Sequence, residues 1–355
     1  MRFAIIGPPQ SGKSTLFSAL TGQPLDPAHG RVERLATVDV PDERLDYLFE
    51  VYKPKRRTPA HLEFLDLPGI SLADAQGQSE FRKAMDSVRR CYGIVIVVRA
   101  FESDAVVPYR NRVDPQADLE ELHMELIFAD LEQVVARIEK LEKSTLKPTK
   151  TRDAELRELA LMRRVREALE SEKPVLAAIH NEEERNIATS FGFLTLKPVV
   201  VVVNVAESAA AAPPPFQAAH AELTIALAAE LEAEISQLEE KDRAAFLADY
   251  GLTEPARIRF IRTCYSSLGL ISFLTAGGTD EVRAWTIKKG MTAAEAAGKI
   301  HTDMQRGFIR AETVAWDDLR ACKDLKGAKA AGRMRLEPKH YVVQDGDVIT
   351  FRFNV

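Results

Sequence analysis

The sequence predicts an α/β protein with a doubly wound, mostly parallel sheet, a helical insertion and a smaller C-terminal α+β domain. Three observations lead to this expectation. Short strands rich in Val and Ile alternate with helical stretches, as in parallel sheets covered on both faces. A charged stretch with helical periodicity interrupts that alternation, and short strands with turns return near the C-terminus. A chain of 355 residues has room for two or three domains.

The first predicted strand and helix enclose a glycine-rich loop. Residues 2–6 have the pattern of a buried strand and residues 14–20 that of a helix, and Gly7 to Ser14 between them match G-x-x-x-x-G-K-S. Backbone N–H groups of such a loop surround phosphates, Lys13 reaches the β and γ oxygens, and the Ser14 hydroxyl binds Mg²⁺. The positive end of the helix favours the same anion. The sequence therefore predicts a nucleoside triphosphate site.

A second part of that site follows the next buried strand, at residues 61–65. Asp66-Leu-Pro-Gly69 is a D-x-x-G pattern, in which the carboxylate holds Mg²⁺ through water and the Gly amide meets the γ-phosphate. Many GTPases continue with a Gln that orients the attacking water, whereas this chain has Ile70. We assign Lys13, Asp66 and Gly69 to catalysis and Ser14 and Asp66 to the metal, and expect hydrolysis to be slow or differently organised.

The base end of the site is predicted after a later strand. Residues 93–98 and 198–204 are strongly β-branched strands, residues 223–227 are a weaker candidate, and Asn204-Val-Ala-Glu207 stands where GTPases carry N-K-x-D. The Glu207 side chain is one methylene longer than that of Asp, so its carboxylate oxygens are displaced. The base preference should therefore relax or shift toward adenine. The predicted nucleotide-binding residues are Pro9, Gln10, Ser11, Gly12, Lys13, Ser14, Thr15, Asn204, Val205 and Glu207.

Two further regions complete the predicted organisation. Apolar residues recur at helical spacing from Leu119 to Leu141 and again over 154–169, with a polar break between them. These helices form either a plain insertion or an arm that docks a large partner. From Leu270 onward, short strands and an Asp345-Gly-Asp turn indicate a separate module. The predicted domains are residues 1–117 with 195–269, the helical insertion 118–194, and the C-terminal domain 270–355.

Composition limits the other possibilities. The 48 basic and 53 acidic residues leave a formal net charge of −5, which gives no global reason to bind nucleic acid or membranes. Three widely spaced cysteines without a C-x-x-C pair favour a reducing compartment. We therefore expect a cytoplasmic protein with no membrane segment and no DNA specificity.

His301 has no neighbouring His or Cys, so it is expected to be a turn residue. Local positive charge in the C-terminal module comes from Arg306, Arg310, Lys323, Lys326, Lys329, Arg333 and Arg335.

The motifs together resemble the YchF/Obg-like ATPase family, a branch of the Obg-related translation-factor GTPases. The similarity covers nearly the whole chain, and its C-terminal part resembles a TGS domain, a ubiquitin-like β-grasp module. The resembling stretches are the P-loop and residues 40–45, 63–69, 97–102, 113–115, 125–131, 193–198, 204–207, 275–277, 281–286, 299–303, 306–311, 327–329 and 343–355.

The resemblance implies a G domain, a coiled-coil insertion and a TGS domain, with binding and hydrolysis of ATP, GTP or both, and association with ribosomes. It implies that Asn204 hydrogen-bonds the purine, that Val205 lines the base pocket, and that Lys13, Ser14 and Asp66 hold phosphates and Mg²⁺. A hydrophobic residue at position 70 and an N-x-x-E motif are expected features of that family. RNA or ribosome contact would involve the TGS domain and the helical arm.

Three departures from the family pattern favour nucleotide binding over turnover. Gln10 and Ser11 replace Asn and Val in the P-loop, no threonine aligns with the switch threonine, and residues 71–79 replace a Gly-rich stretch. A nucleotide-gated adaptor with negligible hydrolysis is therefore the alternative function. A small-molecule kinase would share the P-loop but would not explain N-x-x-E or the TGS-like end.

Overall fold

The computed structural model describes residues 1–24, 33–69, 71–72 and 74–354. Ile70, on which the expectation about hydrolysis rests, lies outside the described residues. The chain forms two compact units, one of residues 1–36 and 63–256 and the other of residues 37–62 and 257–355. Strands β2 (Arg34–Asp39) and β4 (His61–Asp66) each run from one unit into the other.

The first unit is built on a six-stranded sheet of order β2-β4-β1-β5-β6-β7. Its β1, β4, β5, β6 and β7 pair in parallel, as expected for the predicted doubly wound sheet. Residues 94–98 and 200–203 are at most 1 % exposed, because helices cover both faces of the sheet. The remaining elements of this sheet and its helices are β1 (Arg2–Ile6), β5 (Gly93–Ala100), β6 (Val199–Val205), β7 (Leu223–Leu227), α1 (Lys13–Thr21), α3 (Ala75–Arg89), α7 (Ala229–Gln237) and α8 (Glu240–Asp249).

The predicted helical insertion is an antiparallel hairpin of α4 (Pro115–Ser144) and α5 (Arg152–Glu170), followed by α6 (Glu182–Ser190). Asp114 caps α4 by accepting a hydrogen bond from the Ala117 N–H. The first turns of α4 pack into the core of the sheet, and only its later part pairs with α5. The arm therefore continues from a helix whose first turns pack against the sheet.

The second unit contains a six-stranded sheet of order β11-β10-β12-β8-β9-β3. The predicted strands over residues 282–287, 308–314 and 348–353 are present, and His301 joins two helices by accepting a hydrogen bond from the Asp303 N–H, as expected of a turn residue. The elements are α2 (Glu43–Tyr52), β3 (Arg56–Thr58), α9 (Ala256–Ser267), β8 (Leu270–Thr275), β9 (Glu281–Lys288), α10 (Ala293–Ile300), α11 (Thr302–Arg306), β10 (Phe308–Val314), α12 (Trp316–Cys322), α13 (Leu325–Ala330), β11 (Arg335–Glu337) and β12 (Val348–Phe353).

This division differs from the predicted domains, because residues 37–62 and 257–269 group with the C-terminal module rather than with the nucleotide domain. The reason is pairing and packing within the second unit. Strand β3 adds to the edge of β9 in parallel, and the Tyr47 ring meets the Trp316 ring edge-on at 5.4 Å. The Arg44 guanidinium also donates to the Asp345 carboxylate at 2.8 Å.

No helix among the described residues has the length and apolar character needed to cross a lipid bilayer.

Candidate functional site

The glycine-rich loop between β1 and α1 adopts a backbone that few residues permit. Gln10 has φ 60° and Gly12 has φ 94°, both in the left-handed region. A Cβ atom at Gly12 would lie 2.1 Å from Nδ2 of Asn204, which no real side chain tolerates. The conformation of the loop and its packing against β6 therefore require glycine at position 12.

Lys13 lies in the wall of a cavity of about 300 Å³ at the N-terminus of α1. The side chain is 5 % exposed, and its Nζ donates to the Pro8 carbonyl at 2.6 Å. Burial lowers the pKa of Lys13 to about 8, and the nearby Asp66 carboxylate opposes that change. An ammonium group buried in this way gains most from an anion that enters the cavity.

Asp66 stands at the end of β4 with its carboxylate facing α1. Its Oδ2 accepts hydrogen bonds from the Ser14 hydroxyl at 3.1 Å and from the Arg34 guanidinium at 2.8 Å. Its Oδ1 is buried and has no hydrogen-bond partner among the residues that the structure describes. Gly69 lies beside the loop, since a Cβ there would be 3.0 Å from the Lys13 Nζ. The sequence-predicted catalytic and metal-binding residues are thus brought together.

These oxygen atoms fit Mg²⁺. A serine hydroxyl and a buried carboxylate with a free oxygen are hard ligands, and Mg²⁺ is usually held by one or two protein oxygens together with water and substrate phosphates. Within the described ranges, no group of three or more His, Cys, Asp or Glu residues could hold a metal by itself. Ser14 and Asp66 would therefore share the ion with a bound nucleotide.

A second cavity, of about 620 Å³, adjoins the first and shares Gln10, Gly12 and Thr15 with it. Val205 and Glu207 line it, as predicted for the base pocket. The exposed Glu207 carboxylate accepts a hydrogen bond from the Tyr250 hydroxyl at 2.8 Å. The other lining residues are Phe101, Glu102, Ser103, Ala105, Val106, Asn204, Ala206, Ala228, Glu230, Leu231 and Glu234.

Asn204 contacts the backbone on both sides of this pocket. Its Nδ2 donates to the Ser11 carbonyl at 3.0 Å, and its Oδ1 accepts from the Ala229 N–H at 2.9 Å. The side chain is 4 % exposed and satisfies one of the free N–H groups at the start of α7. Asn204 therefore joins the phosphate loop to α7. Its amide group has two N–H donors and uses one here, so the second is available for the purine contact that the resemblance implies.

Three residues of the site are absent from the sequence-based assignment: Arg34, Arg99 and Tyr250. Arg99 is 3 % exposed and donates to the carbonyls of Phe101 and Val106, so it fixes the loop that borders the base cavity. A lone Arg near the end of an apolar strand is a feature that could have identified it. Arg34 and Tyr250 lie far from the motifs in sequence and carry no such feature.

Known proteins resemble this chain over nearly its whole length. Residues 2–130 match a family described as a 50S ribosome-binding GTPase, and residues 270–354 match the C-terminal family of YchF GTPases, which is described as a protein of unknown function. The chain is 42 % identical to the ribosome-binding ATPase YchF of Bacillus subtilis over 99 % of this chain and 98 % of that protein. It is 33 % identical to human Obg-like ATPase 1, with 100 % and 92 % covered. The structure of the Schizosaccharomyces pombe YchF GTPase superposes with a TM-score of 0.82 at 29 % identity, covering 99 % of this chain and 97 % of that one.

Proposed function

Because the chain belongs to the YchF/Obg-like ATPase family, we propose that it is a slow, Mg²⁺-dependent purine-nucleotide triphosphatase that acts as a switch on the ribosome. The observation that carries this proposal is that Lys13 and Ser14 line one cavity at the N-terminus of α1, while the Asp66 carboxylate accepts a hydrogen bond from Ser14 and lies near Lys13. Both the P-loop and D-x-x-G are needed to hold a nucleoside triphosphate with its metal, and both are in place.

The residues of the phosphate cavity have separate roles in binding the triphosphate. The loop amides and the Lys13 ammonium hold the β- and γ-phosphates. Gly69 lies close to Lys13, and its backbone N–H would meet the γ-phosphate. Bound Mg²⁺ supplies charge neutralisation of the phosphate oxygens. The described residues lining this cavity are Pro9, Gln10, Gly12, Lys13, Ser14, Thr15 and Gly69, which include no carboxylate or histidine to activate water. We propose that hydrolysis is slow for this reason.

The purine occupies the second cavity in this proposal. The Glu207 carboxylate accepts hydrogen bonds, so it suits the N6 amino group of adenine as well as the N1 and N2 groups of guanine. Val205 and Leu231 supply apolar contacts to the ring. Either ATP or GTP is therefore a substrate that the pocket chemistry allows, and calorimetric titration with ATPγS and GTPγS in Mg²⁺ measures the preference.

A cytoplasmic ribosome or RNA is the proposed partner. The relatives named ribosome-binding ATPases support it, and so does the exposure of the basic residues of the C-terminal unit, including Lys326 and Lys329. Charge reversal at Lys326 and Lys329 should weaken ribosome co-sedimentation in a salt-dependent way. The matched variant, Lys147→Glu with Lys150→Glu at the exposed end of the hairpin, tests the arm. Unchanged binding by both variants would contradict these contact surfaces.

Single-turnover release of γ-phosphate from bound ATP and GTP tests the enzymatic part of the proposal. The full-length protein, Lys13→Ala and the exposed-lysine control Lys83→Ala are compared with and without ribosomes. Release by the wild type and by Lys83→Ala, but not by Lys13→Ala, supports the triphosphatase. Binding without any release above the Lys13→Ala background favours the nucleotide-gated adaptor instead.

A further inference from the structure

Arg34 contributes a positive charge to the metal-binding end of the phosphate cavity. It is the first residue of β2, which lies next to β4 in the sheet. Its guanidinium donates to Oδ2 of Asp66 at 2.8 Å and lies over the Phe17 ring at 4.6 Å. The side chain of Arg34 is 16 % exposed and that of Asp66 is 5 % exposed. The ion pair is therefore largely removed from water.

Arg34 binds the same carboxylate that would hold the metal. Oδ2 of Asp66 accepts from Arg34 and from the Ser14 hydroxyl, and Ser14 and Asp66 are the two residues whose oxygens suit Mg²⁺. A divalent ion held by this pair would lie a few ångströms from the guanidinium. Like charges at that separation repel strongly when water is largely excluded, so the two cations compete.

A buried, ionised carboxylate is more stable with a cation beside it. An ionised Asp66 without a partner would carry an uncompensated desolvation penalty, and the guanidinium offsets that penalty when no metal is bound. The ring of Phe17 also supports the guanidinium through a cation–π contact. The arrangement stabilises the metal-free protein and places a like charge close to a metal that binds Asp66.

We propose that Arg34 is an internal counter-ion that competes with Mg²⁺ for Asp66 and thereby sets the Mg²⁺ concentration at which nucleotide binds. This inference rests on the proposed nucleotide-binding function. Arg34 is then a positioning residue: it acts through Asp66, and its effect is on the Mg²⁺ dependence of binding rather than on binding at saturating Mg²⁺.

The test is a Mg²⁺ titration of nucleotide binding by the full-length protein. Fluorescent methylanthraniloyl ATPγS and GTPγS are the probes, and Mg²⁺ is varied from micromolar to 10 millimolar for the wild type, Arg34→Ala and Arg34→Lys. In Arg34→Ala the half-saturating Mg²⁺ should fall about tenfold, a typical size for coupling between two ligands. Arg34→Lys should be intermediate, because an ammonium lacks the planar fork.

Arg2→Ala is the matched control. Arg2 makes a more exposed ion pair, at 3.3 Å, with Glu63 on the same strand as Asp66, and this pair does not involve the Asp66 carboxylate. Its half-saturating Mg²⁺ should equal that of the wild type. Thermal unfolding of each variant shows whether it is folded, and Arg34→Lys still tests the proposal if Arg34→Ala does not fold.

Two results would overturn the inference while leaving the proposed function intact. One is the same half-saturating Mg²⁺ in the Arg34 variants, Arg2→Ala and the wild type. The other is a loss of affinity in Arg34→Ala that persists at saturating Mg²⁺, which would make Arg34 a phosphate ligand. If the wild type bound neither probe at any Mg²⁺ concentration, the proposed function itself would fail.

Discussion

The two ends of the proposed nucleotide site are built in different ways. At the phosphate end, Ser11, Lys13 and Asp66 are at most 5 % exposed, and the loop backbone is fixed by glycine. At the base end, Glu207 is exposed and is positioned by a hydrogen bond from Tyr250. The phosphate end should therefore tolerate little change, whereas the acidic group proposed to read the base, Glu207, is held by one exposed contact. Triphosphate binding and purine preference should respond to separate substitutions.

The strongest test of this contrast removes the glycine where the two ends meet. Gly12→Ala places a Cβ 2.1 Å from Nδ2 of Asn204 at φ 94°, so both the loop and its link to β6 must shift. We expect a loss of about 3 kcal/mol or more in the free energy of unfolding, from steric strain and a broken buried contact. Nucleotide binding should fall more than about 100-fold. Chemical denaturation and calorimetry measure the two effects.

Gly22→Ala is the control for Gly12→Ala. Gly22 also has a positive φ, of 69°, but nothing lies within 4 Å of the point that a Cβ atom would occupy there. That variant should lose only about 1 kcal/mol of stability and keep nucleotide affinity, since only backbone strain is added. Equal effects of the two substitutions would show that the contact between the loop and Asn204 is unimportant.

Lys13→Met tests the phosphate end alone. Removal of the buried ammonium should weaken binding of ATPγS, GTPγS and tripolyphosphate by about 100-fold, as for loss of a buried charge partner. The pKa of Lys13 near 8 adds a proton signature. At pH 8 about half of the free protein carries the neutral amine, and the phosphates raise the pKa again, so binding should take up about half a proton per site.

This proton uptake should vanish at pH 6, where the ammonium is already formed, and in Lys13→Met at either pH. Calorimetry in buffers of different ionisation enthalpy measures it directly. The same uptake in Lys13→Met as in the wild type would assign the proton to another group and would contradict the buried-ammonium interpretation.

Glu207→Gln tests the base end alone. It replaces a charged acceptor by a neutral amide, and the preferred purine nucleotide should bind about tenfold more weakly, as expected for the loss of a hydrogen bond to a charged group. Tripolyphosphate has no base, so its affinity should not change. Equal loss for tripolyphosphate and nucleotide would mean that the two ends are coupled, and the contrast between them would not hold.

The same contrast explains what could be predicted from the sequence. The P-loop residues are fixed by their spacing on one strand, one loop and one helix, so Lys13 and Ser14 were predictable. The contact between Arg34 and Asp66 depends on β2 lying beside β4. That neighbour is set by the order of strands in the folded sheet, so the contact could not be predicted from the two residues alone. Strand β3 has three polar residues without apolar periodicity, so its pairing with β9 could not be predicted. The predicted base motif lines the second cavity, but the contact of Asn204 with Ser11 requires the folded sheet.

Tyr250→Phe should produce the smallest effect, and it concerns discrimination rather than affinity. The hydroxyl of Tyr250 restrains the Glu207 carboxylate, and without it that carboxylate can turn to suit either purine. The ratio of the dissociation constants for ATPγS and GTPγS should therefore move toward one by about threefold, the size of one exposed hydrogen bond. Tyr52→Phe is the control. Tyr52 and Leu325 both belong to the second unit, where the Tyr52 hydroxyl accepts a hydrogen bond from the Leu325 N–H, so its loss should leave the ratio unchanged. A ratio that stays constant in Tyr250→Phe but changes in Glu207→Gln would show that Glu207 selects the base without support from Tyr250.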